Sequence, residues 1–185
     1  AGPYDQSHAH QDQGSFTFFK NGWLSVTNNI WSHSGIHQET GNHNVLRFVK
    51  GGADIGQNES TSTMTYARTG VAIDIHATLT PAYSRNSADV RAWTRDVHYE
   101  GSIMRVHDVC DVGTGVTPIF QVQVPVQPAT QADGSVKAGN LKIVPGAGTS
   151  VRFVSMTSVD SDFNSGWRVE ITKPTCDFTV EMTAL

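Results

Sequence analysis

Long apolar runs and clusters of basic residues are both missing from this sequence. No segment approaches the roughly 20 consecutive apolar residues that a membrane-spanning helix needs. No basic segment followed by an apolar one opens the chain, so no secretory signal is visible. Lys and Arg total 13 against 17 Asp and Glu, which gives a formal net charge of −4. The basic stripe of a nucleic-acid-binding protein is therefore absent, and we expect neither a nucleic-acid partner nor a membrane partner.

Cysteine is scarce as well, since the chain contains only Cys110 and Cys176. Each lies in a strand-like run of residues. We expect two buried free thiols. The alternative is a disulfide, which would indicate an oxidising compartment, but spacing alone does not show whether two cysteines pair.

Short segments of alternating apolar and polar residues make up most of the chain. The segment 71–79 is the clearest, with apolar side chains on one face and Asp74, His76 and Thr78 on the other. About a dozen such segments are separated by turns rich in Gly and Pro, and no helical pattern is found. We predict one all-β domain over residues 1–185, a large antiparallel two-sheet β-sandwich. The abrupt start at Ala1 suggests a fragment of a longer protein.

Histidines are concentrated in the first quarter of the chain. His8 and His10 alternate in a segment that we read as extended, so their rings face one way, and His43 opens another apolar run. Neutral imidazole is a common zinc ligand, and a zinc site needs three or four ligands. His10 and His43 are the best pair, with Asp12, His37 or Glu39 possible as a third ligand. The competing interpretation is that these histidines only form hydrogen bonds within strands and loops.

Arginine and aromatic side chains alternate in a second segment, where Arg91, Trp93 and Arg95 would share one face of a strand. Arginine beside an aromatic ring is a usual way to hold sugars and carboxylates. The alternative is an arginine stacked on tryptophan at a sheet surface, with Asp108 as the buried partner of Arg95. Four further aromatic residues are candidates for sugar stacking or for core positions: Trp23, Trp31, Tyr83 and Trp167.

The combination of these motifs resembles one family. The run from His8 to Phe16 reads H-x-H-x-D-x-G-S-F and is followed by Gly22-Trp23-Leu24 and by His43-Asn44. Together they look like the C-terminal β-sandwich of the heparinase II/III-like polysaccharide lyases, a group that includes heparinases and oligoalginate lyases. The later Ala82-Tyr83, Trp93-x-Arg95 and Val106-His107-Asp108 occur in the same order. The resemblance covers most of the chain from His8 to about Asp111.

The resemblance implies roles for several residues. His8 would face an interdomain cleft and act in catalysis or substrate binding. From the chemistry of their side chains we also expect Tyr83, Arg91, Trp93 and Arg95 to contact substrate. His10 and His43 would help to hold a zinc ion together with an aspartate from the intervening strand. This chain has no aspartate in the segment 26–29, where Thr27 or Asn28 stands in its place.

The same resemblance implies a function for a larger protein. Members of this family cleave uronic-acid polysaccharides, such as glycosaminoglycans or alginate, by β-elimination, and their main tyrosine lies in an N-terminal α/α-toroid. The chain would then be the accessory domain of a periplasmic or secreted lyase, inactive by itself, with an acidic polysaccharide and its own toroid as partners. Two alternatives stay open. One is a non-catalytic carbohydrate-binding or structural sandwich. The other is a cupin-like oxygenase, although the glutamate and the later histidine motif of cupins are missing.

Overall fold

The computed structural model describes residues 9–58 and 60–185, and most of the regular structure in them is β-strand. In chain order the strands are β1 (Phe18–Phe19), β2 (Trp23–Ser25), β3 (Leu46–Lys50), β4 (Ala53–Asp54), β5 (Thr63–Thr69), β6 (Ala72–Thr78), β7 (Val90–Glu100), β8 (Ile103–Val112), β9 (Val116–Val124), β10 (Ala129–Thr130), β11 (Val136–Ala138), β12 (Leu141–Pro145), β13 (Ser150–Ser155), β14 (Trp167–Thr172) and β15 (Asp177–Ala184). Short 3-10 turns are η1 (Asn28–Trp31), η2 (Thr40–Asn42), η3 (Thr80–Asn86) and η4 (Met156–Ser158). None of the helical segments described is long and apolar enough to cross a membrane.

The strands form two large antiparallel sheets packed face to face. The larger sheet has eight strands in the order β10-β11-β12-β15-β8-β7-β6-β5, and the smaller has five in the order β13-β14-β9-β3-β4. Strands β1 and β2 pair separately as a short hairpin. The predicted all-β fold of two antiparallel sheets is confirmed.

Alternation along the strands explains why the sheets pack. On β15 the side chains of Phe178, Val180 and Met182 are fully buried, whereas Asp177 and Thr179 are exposed. Phe120 on β9 meets Phe178 from the opposite sheet with ring centroids 6.4 Å apart. Burial of this alternating apolar face is the main source of stability of such a sandwich.

The outer face of the small sheet is polar and yet buried. Gln121 and Gln123 on β9 and Glu170 on β14 are at most 2 % exposed. The segment that contains η1 and η2 covers the two glutamines, and Arg168 lies between Glu170 and the carbonyl of Gly41 in that segment. Arg47 and Arg168 are also buried here, and both donate to the Glu170 carboxylate. This covered face positions the histidine-bearing turn described below.

The two cysteines form a disulfide, so the expectation of free thiols is wrong. The bond joins Cys110 on β8 to Cys176, just before β15, with 5.2 Å between the Cα atoms. The backbone N–H of Cys110 also donates to the carbonyl of Cys176 at 3.0 Å. The pair therefore sits where two neighbouring strands already lie side by side.

Candidate functional site

The structure brings His10 and His43 together, as the sequence predicts. Nδ1 of His10 lies 3.2 Å from Nε2 of His43, and the rings meet edge to face with centroids 5.1 Å apart. His43 is buried and His10 is partly exposed. This pair lies where the N-terminal segment meets the covered face of the small sheet.

The backbone of His43 is held by side chains from β9. Nε2 of Gln121 donates to the carbonyls of Thr40 and His43 at 2.6 and 2.7 Å. Nε2 of Gln123 donates to the carbonyls of Gly41 and His43, both at 3.2 Å. The η2 turn is therefore attached to the rigid centre of the small sheet, and the position of the His43 ring follows from it.

The third polar group at this point is Asn29 in η1. Its Nδ2 lies 3.3 Å from Nδ1 of His10, while its Oδ1 accepts the backbone N–H of His37 at 2.8 Å. Nε2 of His37 in turn lies 2.9 Å from Oδ2 of Asp162. The result is a continuous hydrogen-bonded row that runs from His43 through His10 and Asn29 to His37 and Asp162.

Sequence reasoning placed Thr27 or Asn28 in the position that Asn29 occupies. Thr27 instead donates to the carbonyl of Asn42 at 3.0 Å and caps η1, and Asn28 donates to the side chain of Gln123. The segment forms a 3-10 turn rather than a strand, so strand alternation does not tell which of its side chains faces His10.

Burial determines the charge of His43. Burial, and to a smaller extent the neighbouring His10, lowers the pKa of His43 from 6.5 to about 4. His43 is therefore a neutral imidazole at neutral pH. Burial also raises the pKa of Asp12, the carboxylate of the H-x-H-x-D motif.

The described residues do not fit the zinc ion that the family resemblance implies. A zinc ion needs at least three protein ligands, but residues 9–58 and 60–185 contain no group of three His, Cys, Asp or Glu side chains placed to hold a metal. The third group near His10 is an amide, and it presents a nitrogen that carries hydrogens. Of the three possible third ligands, His37 contacts Asp162 and Glu39 accepts from Asn42. Asp12 completes no such group.

His8, which the resemblance assigns to catalysis, lies outside the described residues. Its role stays a prediction.

The residues expected to contact substrate are mostly in the core, which corrects that expectation. Tyr83 and Trp93 are fully buried and Arg95 is 2 % exposed. Tyr83 and Trp93 pack with Phe48 in an aromatic cluster with centroids 5.1 to 6.0 Å apart. A side chain without exposed surface cannot stack on a sugar ring.

Arg91 differs from its neighbours because of an irregularity in the sheet. The register of β7 against β8 shifts between Val90 and Ala92, so Arg91 is exposed and does not share the buried face of Trp93 and Arg95. Arg91 donates to both carboxylate oxygens of Asp111 at 2.8 and 2.5 Å. Its substrate contact stays a prediction.

An apolar groove of about 500 Å³ lies between the segment 13–19 and the inner face of strands β5 to β8. Phe19 is 60 % exposed and lines it. The Phe19 ring packs edge to face on Trp23, which is 47 % exposed, with centroids 5.1 Å apart. Among the four aromatics proposed for sugar stacking, Trp23 is the exposed one. Trp31 and Trp167 are half-buried and Tyr83 is in the core.

Comparison with known proteins supports the fold. No protein-family model and no curated protein sequence matches this chain. Among solved structures, the whole chain is similar to part of a heparinase III with methylated lysines, with a TM-score of 0.69 and 14 % sequence identity. The chain spans 31 % of the length of that protein. At this identity the similarity shows a shared β-sandwich fold, in a protein whose own name places it among the heparinases.

Proposed function

We propose that this chain is the accessory β-sandwich of a polysaccharide lyase that cleaves a uronic-acid-containing polysaccharide by β-elimination. The observation that carries the proposal is the His10–His43 contact. This contact lies in a sandwich that, over the whole length of this chain, is similar to part of a heparinase III. The H-x-H motif, the anchored H-N turn and the shared fold are three separate features that agree with one family.

In β-elimination a base removes the proton at C5, the uronate charge is neutralised, and an acid protonates the leaving O4. We assign His8 either to protonation of the leaving O4 or to neutralisation of the uronate charge, because an imidazole titrates near neutral pH. His10 has a different task. It is bonded to His43 and Asn29, so it anchors the segment two residues after His8. The other catalytic groups would belong to an N-terminal α/α-toroid.

The disulfide supports a periplasmic or secreted location. Structural disulfides persist in oxidising compartments and are rare in the cytosol. The Cys110–Cys176 bond is therefore consistent with an enzyme that meets polysaccharide outside the cytoplasm.

The test is a lyase assay on the protein that carries both this chain and a toroid. Formation of the unsaturated product is followed by the ultraviolet absorbance of the new double bond. His8→Ala should lower the rate by about 10²–10⁴-fold, the usual contribution of a general acid or base. His33→Ala, which removes an exposed histidine nearby in sequence, is the matched control. The isolated chain should show no turnover. Full activity in the His8 variant, or a loss that merely follows unfolding, would refute the assignment.

A non-catalytic carbohydrate-binding module is the second candidate. The exposed pair of Phe19 and Trp23 beside the groove favours it, because aromatic rings pack on the apolar faces of sugars. Oligosaccharide binding that needs Trp23 but is unchanged by His8→Ala would favour this module over the lyase domain.

A further inference from the structure

The amide of Asn29 has a defined orientation. Its Oδ1 accepts the backbone N–H of His37 at 2.8 Å, which leaves its Nδ2 facing Nδ1 of His10 at 3.3 Å. Rotating the amide by 180° would place the N–H₂ group against the N–H of His37, so two donors would meet and a hydrogen bond would be lost. The hydrogen-bond network therefore assigns an N–H donor, and not an oxygen, to the side that faces His10.

The distance between the two ring nitrogens is nevertheless compatible with a shared metal ion. Two nitrogen ligands at about 2.0–2.1 Å from a tetrahedral zinc ion lie about 3.3 Å apart. The observed separation of Nδ1 of His10 and Nε2 of His43 is 3.2 Å. What the described residues lack is the third ligand, because the group beside Nδ1 of His10 is the N–H₂ of Asn29, which offers no lone pair to a metal ion.

We propose that Asn29 determines whether this site holds a metal, and that in this chain it makes the His10–His43 pair a metal-free hydrogen-bonded anchor. An aspartate at position 29 would have nearly the same shape. One of its oxygens would still accept the N–H of His37, and the other would face His10 as an anionic ligand. Whether the side chain at position 29 presents a nitrogen or an oxygen to His10 therefore decides between a hydrogen-bonded histidine pair and a zinc site. This inference does not depend on the lyase assignment.

The experiment compares metal binding by the wild type and by Asn29→Asp, after removal of bound metal with a chelator. Zinc is titrated calorimetrically, and Co²⁺ is used as a spectroscopic probe of a tetrahedral site. Loss of an outer-shell partner alone costs about 10–100-fold in metal affinity, so gain of a direct ligand should tighten binding by about 100-fold or more. Asn29→Asp should bind one zinc ion, and a further His43→Ala change should abolish that binding.

Two controls make the result specific. Asn140→Asp adds the same charge at an exposed position just before β12 and should bind zinc as weakly as the wild type. The exposed histidines on the large sheet set the weak background in all variants: His76, His98 and His107. If Asn29→Asp does not fold alone, refolding is repeated with Zn²⁺. Recovery of the fold only with metal agrees with the proposal, and no recovery contradicts it.

Two results would overturn the inference. One is stoichiometric zinc binding by the wild type that disappears in His43→Ala. The other is a folded Asn29→Asp protein whose zinc affinity equals that of Asn140→Asp.

Discussion

Nη1 of Arg95, on the large sheet, donates to the carbonyl oxygen of Asn44 at 2.9 Å, directly after His43. The same nitrogen donates to the carbonyl of Gly14 at 2.6 Å, and the other guanidinium nitrogens donate to Asp108 at 2.8 and 2.6 Å. One buried guanidinium thus ties together the two segments that carry His10 and His43. The arginine that the sequence suggested for substrate binding instead positions the candidate site.

Replacing Arg95 should therefore destabilise the whole domain. Removing one partner of a buried ion pair leaves the other charge uncompensated, which costs about 3–5 kcal/mol. Arg95→Ala should lower the free energy of unfolding in urea by that amount. Arg91→Ala is the matched control, because Arg91 forms an exposed pair with Asp111, and exposed pairs contribute little to stability. Equal losses in the two variants would contradict this account.

Gly14 shows why the motif contains a glycine at this position. Its φ is +83°, and an added Cβ would lie 2.5 Å from Cδ1 of Leu79 and 3.0 Å from the ring of Trp93. Gly14→Ala combines backbone strain with overpacking and should cost about 2–4 kcal/mol. Gly148→Ala has a similar φ of +75° with no atom near the added Cβ, so only the backbone cost of about 1 kcal/mol applies. Chemical denaturation of both variants separates the two effects, and equal stabilities would show that the contacts of Gly14 are unimportant.

Features that follow the alternation of apolar and polar residues could be predicted from the sequence. Strand β6 alternates as expected, with Asp74 and His76 on the outer face. The approach of His10 to His43 was also predicted, although only His43 lies just before a strand, whereas His10 lies in an irregular segment before β1. The burial of Asp108 beside Arg95 was among the alternatives.

Other features depend on tertiary contacts, which the alternation of apolar and polar residues along the sequence does not encode. An alternating Arg-x-Trp-x-Arg segment looks the same whether its face is exposed or buried, and the outcome depends on the register shift in β7 and on the partner carboxylate. The role of Asn29 depends on the rotation of a 3-10 turn and on the N–H of His37. Cysteine pairing depends on which strands are neighbours, and 66 residues separate the two cysteines.

The disulfide should make a measurable contribution to stability. Closing a loop of 66 residues constrains the unfolded chain, and such bonds typically contribute about 2–4 kcal/mol. The double variant Cys110→Ser/Cys176→Ser should lose this amount in urea unfolding. Adding a reductant should destabilise the wild type similarly and leave the double variant unchanged. If the reductant breaks the bond and the stability of the wild type does not change, the prediction is refuted.

Trp23 should contribute to any binding of sugar at the groove. Its exposed ring offers an apolar face to a sugar, so Trp23→Ala should weaken oligosaccharide binding by about 10-fold, equivalent to about 1.4 kcal/mol. Val71→Ala, which removes an exposed apolar side chain in the β5–β6 turn, is the control. Intrinsic fluorescence during a titration with uronic-acid oligosaccharides measures both. Unchanged affinity in the Trp23 variant would remove this surface from consideration.

Stability should depend on pH through His43. Burial lowers its pKa in the folded state to about 4 from 6.5, so the unfolded chain binds a proton more readily between these values. The folded state is therefore favoured fully above pH 6.5, and this advantage is lost as the pH falls towards 4. The slope approaches about 1.4 kcal/mol per pH unit, and the total is about 3 kcal/mol.

Urea unfolding of the wild type and of His43→Gln at pH 4.5, 5.5, 6.5 and 7.5 measures this pH dependence of stability. The carboxylates titrate in both proteins, so the difference in slope isolates His43. His33→Gln, which removes an exposed histidine, should keep the wild-type slope. If His43→Gln unfolds with the same pH dependence as the wild type, then His43 is not held neutral by burial.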